Sequence, residues 1–541
     1  MNISKIHIEN FKLFKGSFDL DLNKGVNILV GNNEAGKSTI IEAIHLALTG
    51  LYNGKYLKNE LTQYVFNNEV IAEYIQHLES RETAIQLPHI LIEIYIDGED
   101  YPEFEGRWNS AKSTAIGISY KVTFDDKYQR EYEELVKIGG IKTLPIEYYN
   151  ISWTSFSGDE SITPRTIPIK SALIDSASNK FQNGSDIYIS RIIKEFLESN
   201  EVVEISQAHR KMKESFMKEP AIKNINDKIK KTAKISDKKV ELSVELSSKN
   251  AWENSLITQL DDIPFHFIGK GEQCLVKAKL ALGHKKAKEA NLILFEEPEN
   301  HLAHSKLNQL ICDIISDNGD KQILISTHNS FVANKLSLGN LIFLNDKKTI
   351  RLNDLPEKTF QFFQKLAGYD TLRLILCNKA ILVEGDSDEL IVQKAYFVKK
   401  GKLPIEDSID VISVGTSFLR FLEIAERIKK QVAVVTDNDG DFDNKITKKY
   451  EQYNNTTTIR VFADKRNNLN TLEPQIADAN KDDFATLCEI LKIDKENYKT
   501  VGEISKYMQN HKTECALKIF NADKQINFPE YINKAINWYD E

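Results

Sequence analysis

Residues Gly31-Asn32-Asn33-Glu34-Ala35-Gly36-Lys37-Ser38 set two glycines, a lysine and a hydroxyl at the spacing G-x-x-x-x-G-K-[ST]. These residue types suit the capture of phosphate. The glycines let the backbone wrap closely round phosphate oxygens with its N–H groups pointing inward. Lys37 offers a point charge for β- and γ-phosphates, and Ser38 a hydroxyl for Mg²⁺. Asn32, Asn33, Glu34, Ala35, Gly36, Lys37, Ser38 and Thr39 are therefore the expected nucleotide contacts. Two later stretches fit the same chemistry. Leu292-Ile293-Leu294-Phe295 runs into Glu296-Glu297-Pro298-Glu299-Asn300. Glu296 would hold Mg²⁺ and Glu297 would orient or deprotonate an attacking water. Adjacent acids ending an apolar strand are costly unless a cation or donors compensate them. Ile323-Leu324-Ile325-Ser326-Thr327-His328 ends in a histidine placed to sense a γ-phosphate. A weaker signal is Gly269-Lys270-Gly271-Glu272-Gln273, whose glycines open a helix and expose N–H groups to an anion. A residue touching both metal and water is also needed; Gln63 and Gln86 both suit it, and the sequence does not choose.

A second set of residues lies towards the C-terminus. The apolar run Ala380–Val383 ends in Glu384-Gly385-Asp386-Ser387-Asp388-Glu389, and Val432–Thr436 ends in Asp437-Asn438-Asp439-Gly440-Asp441. Leu469-Asn470-Thr471-Leu472-Glu473 adds another acid. Acids ending neighbouring strands of an α/β fold converge at the carboxyl edge of the sheet. Gathered carboxylates repel and raise one another's pKa unless divalent cations neutralise them. All-oxygen ligands suit Mg²⁺ or Mn²⁺, and such a site serves in-line displacement at phosphorus. Acids where a dinucleotide fold needs glycines argue against that alternative.

The elements that must position these residues are legible as patterns. Val26–Val30 reads as a buried strand, and Ile40, Ile41, Ala43, Ile44 and Ala47 recur at helical spacing behind the glycine loop. Phe18-Asp19-Leu20-Asp21-Leu22 alternates as a half-exposed strand, and strands return between His89 and Phe124 as a side sheet. Residues 165–245 read as helical. Between Arg210 and Lys239 there are 11 Lys/Arg and 4 Asp/Glu, a local balance of +7. That run fits a solvated helical face, a dimerisation insert or a phosphate-contacting patch.

The 541 residues predict two to four units. A net charge of −8 confines any nucleic-acid surface to a local patch. Five scattered cysteines with no CxxC pair predict neither a zinc site nor a disulfide framework, and with no apolar run of membrane-spanning length the expected location is the cytoplasm.

The phosphate loop, the Gly-x-Gly-x-Gln stretch, the Glu-Glu-Pro-Glu strand and the histidine together resemble an ABC-type ATPase head of the SMC/RecF branch. That resemblance implies a homodimer in which Gly269, Gly271 and Gln273 act on the partner's ATP. The sequence has Glu296 where Asp is usual and lacks a Leu-Ser-Gly-Gly core. Glu-Gly-Asp-x-Asp followed by Asp-x-Asp resembles a Toprim domain. An ABC-type head followed by Toprim is similar to the OLD (overcoming lysogenization defect) family of nucleases.

The implied fold is α/β throughout. An ATPase N-terminal lobe spans residues 1–164, a helical insert 165–245 for which dimerisation is one of the readings, an ATPase C-terminal lobe 246–356 and a Rossmann-like Toprim domain 375–541. The implied metal ligands are Ser38 and Glu296 in the ATPase, and Glu384, Asp388, Asp437, Asp439 and Glu473 in the Toprim domain, with Asp386, Glu389 and Asp441 at its margin. Lys512 is implied to stabilise the pentacovalent phosphate. The implied activity is ATP-dependent DNA endonuclease in anti-phage defence, using ATP, Mg²⁺ at the ATPase and Mg²⁺ or Mn²⁺ at the Toprim site, with a helicase or another defence-system protein as partner. The contrasting expectation is a non-nucleolytic, ATP-gated DNA-binding protein. Strand passage and primer synthesis rank lowest, since no nucleophilic tyrosine stands out by pattern.

Overall fold

The structure, a computed structural model, describes residues 1–32, 34–80, 87–175, 181–182, 185–186, 197–232, 241–243, 257–283, 288–300, 302–317, 319–328, 338–345, 348–351, 355–366 and 369–540. Asn33, Gln86 and part of the basic run, residues 233–239, lie outside them. The chain divides into two compact units: Met1–Leu29 with Gly36–His328, and Val30–Ala35 with Asn329–Glu541.

The first unit carries an antiparallel sheet in the order Ser17–Asp21, Asn2–Glu9, Ile90–Asp97, Ala115–Phe124, Glu105–Gly106, with Tyr149–Ser155 also paired to Ala115–Phe124. Alternation sets its faces: Phe18 and Leu20 are buried while Ser17, Asp19 and Asp21 are exposed. Its other sheet is built on parallel strands. Ser171–Asp175 pairs with Leu292–Glu296, which pairs with Gln322–Thr327, in the register Asp175↔Glu296↔Ser326. Leu292 to Phe295 and all six residues of Gln322–Thr327 are buried, the continuous apolar pattern of strands covered on both faces. Next to Gln322–Thr327 lies the strand that starts at Val26.

The Gln322 side chain ties the two sheets together. Its amide accepts from Ile3 N–H at 2.8 Å and donates to the Ile3 and Asn23 carbonyls, each at 2.8 Å. A buried amide is tolerated because its bonding capacity is used. Helix Lys37–Thr49 buries Ile40, Ile41, Ala43, Ile44, Leu46 and Ala47, and Gly50 ends it with φ +71° and an N–H bond to Leu46 O. Two helices, Ser199–Lys218 and Pro220–Thr232, expose Val203, Met212, Phe216 and Ile225.

In the second unit four parallel strands lie in the order Ile409–Ser413, Lys379–Val383, Gln431–Val435, Ile459–Phe462. Helix Asp386–Lys400 buries Ile391, Val392, Ala395 and Tyr396 in one core with Leu472, Ile476, Ile519, Ile532 and Trp538. The C-terminal helices Lys512–Asn521 and Glu530–Asn537 thereby share a core with the sheet's central strands. Among the described residues no helix is long and apolar enough to cross a membrane.

Candidate functional site

In the first unit the ionisable groups gather at the carboxyl edge of the parallel strands. Gly36 takes φ +103°, and a Cβ there would meet Phe14 Cζ at 2.7 Å, so glycine is required. Lys37 and Thr39 are buried, whereas Asn32 and Glu34 are exposed. Burial lowers the Lys37 pKa, against the pull of Glu297, Glu299 and Glu296. A lysine desolvated beside three carboxylates is a charge held ready for a bound polyanion. Burial raises the Glu296 pKa, with Asp175, Glu42 and Glu297 adding repulsion and a hydrogen bond from Ser38 opposing them. Ser38 and Glu296 thus stand within hydrogen-bonding reach of one another, and this oxygen-rich, repelling set fits a hard divalent ion.

Glu297 stands at φ +42°, an uncommon conformation for a non-glycine residue, and its carboxylate accepts from Asn300 Nδ2 at 2.9 Å. His328 Nδ1 lies 3.5 Å from Glu297 and 3.4 Å from Glu299. Sequence reasoning missed Glu299. Its buried Oε1 accepts from Thr327 Oγ1 at 2.6 Å and from His328 N–H at 3.0 Å. It fastens the acidic strand to the histidine strand. Asp175 was missed as well, and only sheet register brings it beside Glu296.

Gln273 corrects an expectation. It is 5 % exposed, and its amide donates to Phe265 O at 2.9 Å and Ile268 O at 2.8 Å. The side chain fixes the turn that opens helix Lys270–Gly283 instead of facing outward. Gly269 is exposed and Gly271 half-buried. Gln63 also serves locally, accepting from Leu144 N–H at 3.1 Å.

In the second unit Glu384 follows the strand Lys379–Val383, and Asp437 stands two residues beyond its neighbour Gln431–Val435. Both acids leave the same edge of the sheet. The backbone of Glu384 is held from the adjoining strand end, its carbonyl accepting from Gly415 N–H at 3.0 Å. Asp437 is pushed up to about 8 by burial, then by Asp388, Glu384 and Glu473, with the Leu472 N–H opposing. Burial takes Asp388 to about 6, while its Oδ2 also caps the helix by accepting from Gly385 N–H at 3.0 Å. Burial and Asp439 raise Glu384, and Lys512 and Lys449 oppose. Glu473, 5 % exposed, accepts from Thr471 Oγ1 at 2.8 Å and lies 3.2 Å from Lys512 Nζ. Fully buried Asn438 pins the loop, donating to Asp464 O at 2.8 Å and Arg466 O at 3.0 Å.

The expected crevice therefore contains Glu384, Asp388, Asp437, Glu473 and Lys512, with exposed Asp439 at its mouth, 3.6 Å from Lys445. The marginal acids do other work. Asp441 accepts from Asn444 N–H and Nδ2, Glu389 accepts from Gln393 and sits 3.6 Å from Arg373, and Asp386 is exposed. Among the described residues no three His, Cys, Asp or Glu side chains stand close enough to hold a metal ion. The donor chemistry nevertheless fits one: carboxylates whose ionised form is disfavoured by burial and by one another are relieved by a divalent cation.

The family described as "AAA domain" matches residues 5–292, more than half of the chain. The chain belongs to the AAA-domain family. In the second unit of this AAA-domain protein, residues 375–439 match "Overcoming lysogenization defect protein-like, TOPRIM domain". Nucleotide and divalent-metal use follow from the two domain types. The chain is 39% identical to DNA replication and repair protein RecF of Vibrio campbellii over 88 residues, 16% of this chain and 23% of RecF. It thus spans less than a quarter of that relative's length. Endonuclease GajA of Bacillus cereus is 21% identical, the match covering 95% of this chain and 86% of GajA. The SmcHead, solved bound to the C-winged helix domain of ScpA, is 16% identical with a TM-score of 0.32, covering 65% of this chain and 99% of that one.

Proposed function

We propose that this AAA-domain protein is an ATP-dependent, divalent-metal-dependent DNA endonuclease of anti-phage defence. The observation that carries the reading is the convergence of Glu384, Asp388, Asp437 and Glu473, with Lys512 beside them, at one sheet edge of the TOPRIM-matched unit. Likeness to an endonuclease along almost the whole chain supports it.

In the ATPase, Lys37 and the loop backbone grip the phosphates, Ser38 and Glu296 hold Mg²⁺, and Glu297 orients or deprotonates water. Asn300 fixes the Glu297 carboxylate, and Glu299 holds His328 where the γ-phosphate arrives. Gly269 and Gly271 act on the ATP of a second copy through their backbone, and within residues 165–245 the helices Ser199–Lys218 and Pro220–Thr232, not the core strand Ser171–Asp175, help to join the copies. In the nuclease, Glu384, Asp388, Asp437 and Glu473 hold Mg²⁺ or Mn²⁺, with Asp439 contributing from the mouth. Bound ions supply charge neutralisation at phosphorus. Lys512 meets the negative charge that builds on the phosphate. Residues 375–541 form the nuclease domain, the protein works in the cytoplasm, and a helicase or other defence-system protein is its partner.

The test is nicking of supercoiled plasmid with Mg²⁺ or Mn²⁺. Wild type should nick and Asp437→Ala should not; undiminished nicking by Asp437→Ala overturns the assigned site, and no nicking by wild type under any ATP condition overturns the nuclease reading.

A further inference from the structure

A π-helical segment, Asp443–Lys448, follows the Asp437–Asp441 loop. Such turns are rare and change the angular register of what comes after them. Three lysines lie on it or just past it, and two of them are engaged. Lys445 Nζ is 3.6 Å from Asp439 Oδ2, and Lys448 Nζ donates to Asn444 Oδ1 at 2.9 Å. Lys449 differs. It is half-buried, rests 5.1 Å from the Tyr450 ring centre and 5.8 Å from that of Phe418, and makes no ion pair among the described residues. Burial and Lys445 disfavour its charge, and Asp439 and Glu384 favour it. Beside it Tyr450, 2 % exposed, buries a hydroxyl with no hydrogen-bond partner among the described residues, and Glu384 is the charged group acting on that hydroxyl.

A half-buried ammonium whose carboxylates act on it without pairing with it directly has donor capacity to spare. An arriving anion uses that capacity. The carboxylates cannot supply it while they hold divalent ions. What such ions bring to the crevice is a phosphodiester, whose non-bridging oxygens accept from an ammonium.

We infer that Lys449 is a second substrate-binding cation of the TOPRIM-matched site, contacting a non-bridging oxygen of the DNA backbone beside the one served by Lys512. The inference rests on the nuclease reading above. Binding of a labelled DNA duplex to the full chain, with Ca²⁺ as the filling ion, is measured for wild type, Lys449→Met and Lys449→Arg, alongside plasmid nicking with Mg²⁺. Lys449→Met should bind about tenfold or more weakly. Its log–log salt dependence should be shallower by about one. Lys449→Arg should restore most of both. If wild type nicks DNA and Lys449→Met matches it in affinity and salt slope, the Lys449 assignment falls while the nuclease stands. A weak Lys449→Arg, no better than Met, overturns the assignment too. If wild type neither binds nor nicks, the nuclease reading falls first.

Discussion

Lys512 Nζ lies 3.2 Å from Glu473 Oε1, so the first residue of helix Lys512–Asn521 brings a cation against a buried carboxylate of the crevice. Burial alone would lower its pKa, but Glu473, Asp437 and Asp388 outweigh burial and raise it. The neighbouring carboxylates therefore favour the charged form of the lysine. Lys512→Met should cut nicking by about 10²–10³-fold, the scale of losing one group aimed at developing charge. DNA affinity should fall far less, and steady-state nicking with parallel binding measurements checks the split.

The raised acids fix a pH dependence. The Asp437 carboxyl has a folded pKa of about 8 against an ordinary 3.8, and Asp388 one of about 6. The folded chain then binds more protons than the unfolded one between these values, so stability falls as pH rises from about 4 to about 8. Without metal, Tm should drop across that window, and Asp437→Asn should flatten the drop. Mg²⁺ or Mn²⁺ should raise Tm more at the alkaline end, because its ligands must lose protons to bind. Thermal melts with and without metal read both effects.

Lys37→Ala removes the buried charge that faces Glu297, Glu299 and Glu296. ATP binding should become undetectable by calorimetry while the fold, judged by circular dichroism, persists. Normal hydrolysis by this variant refutes the phosphate-loop assignment.

Glu299 makes a different kind of prediction. Glu299→Ala leaves the Thr327 hydroxyl and His328 N–H without their acceptor, which costs about 1–3 kcal/mol. Urea unfolding should show that loss, and Glu299→Gln, which keeps an acceptor oxygen, should show less. ATP should still bind both variants, with hydrolysis reduced most in Glu299→Ala, where His328 is no longer held.

The sites differ in how much of them a reader of the sequence can see. The phosphate loop, Glu296-Glu297 and His328 are visible because each follows a short apolar strand, and buried parallel strands read as unbroken apolar runs. Glu384 and Asp437 are visible for the same reason. Asp175 is not, since only the pairing of Ser171–Asp175 with Leu292–Glu296 brings it to the metal side. Glu299 stood in plain view as the last acid of Glu-Glu-Pro-Glu, but its task depends on Thr327 in another strand. An acid trailing a proline inside a buried strand-end loop is the signal that could have found it. Gln273 misled because a motif fixes position, whereas the direction of a side chain depends on neighbours such as Phe265 and Ile268. Asp441 and Glu389, placed at the margin of the site, lie near helix starts, where acids also bond neighbouring donors or pair with a nearby arginine.

The Gln322 amide that clasps Ile3 and Asn23 has a consequence for biosynthesis. The opening strand leaves the ribosome some three hundred residues ahead of the amide that completes its bonding. Nascent chains must carry a nearly finished antiparallel sheet with open polar backbone until that late strand emerges, which is a long wait by the measure of contact order. Products terminated before residue 322 should be clients of chaperones and prone to aggregate.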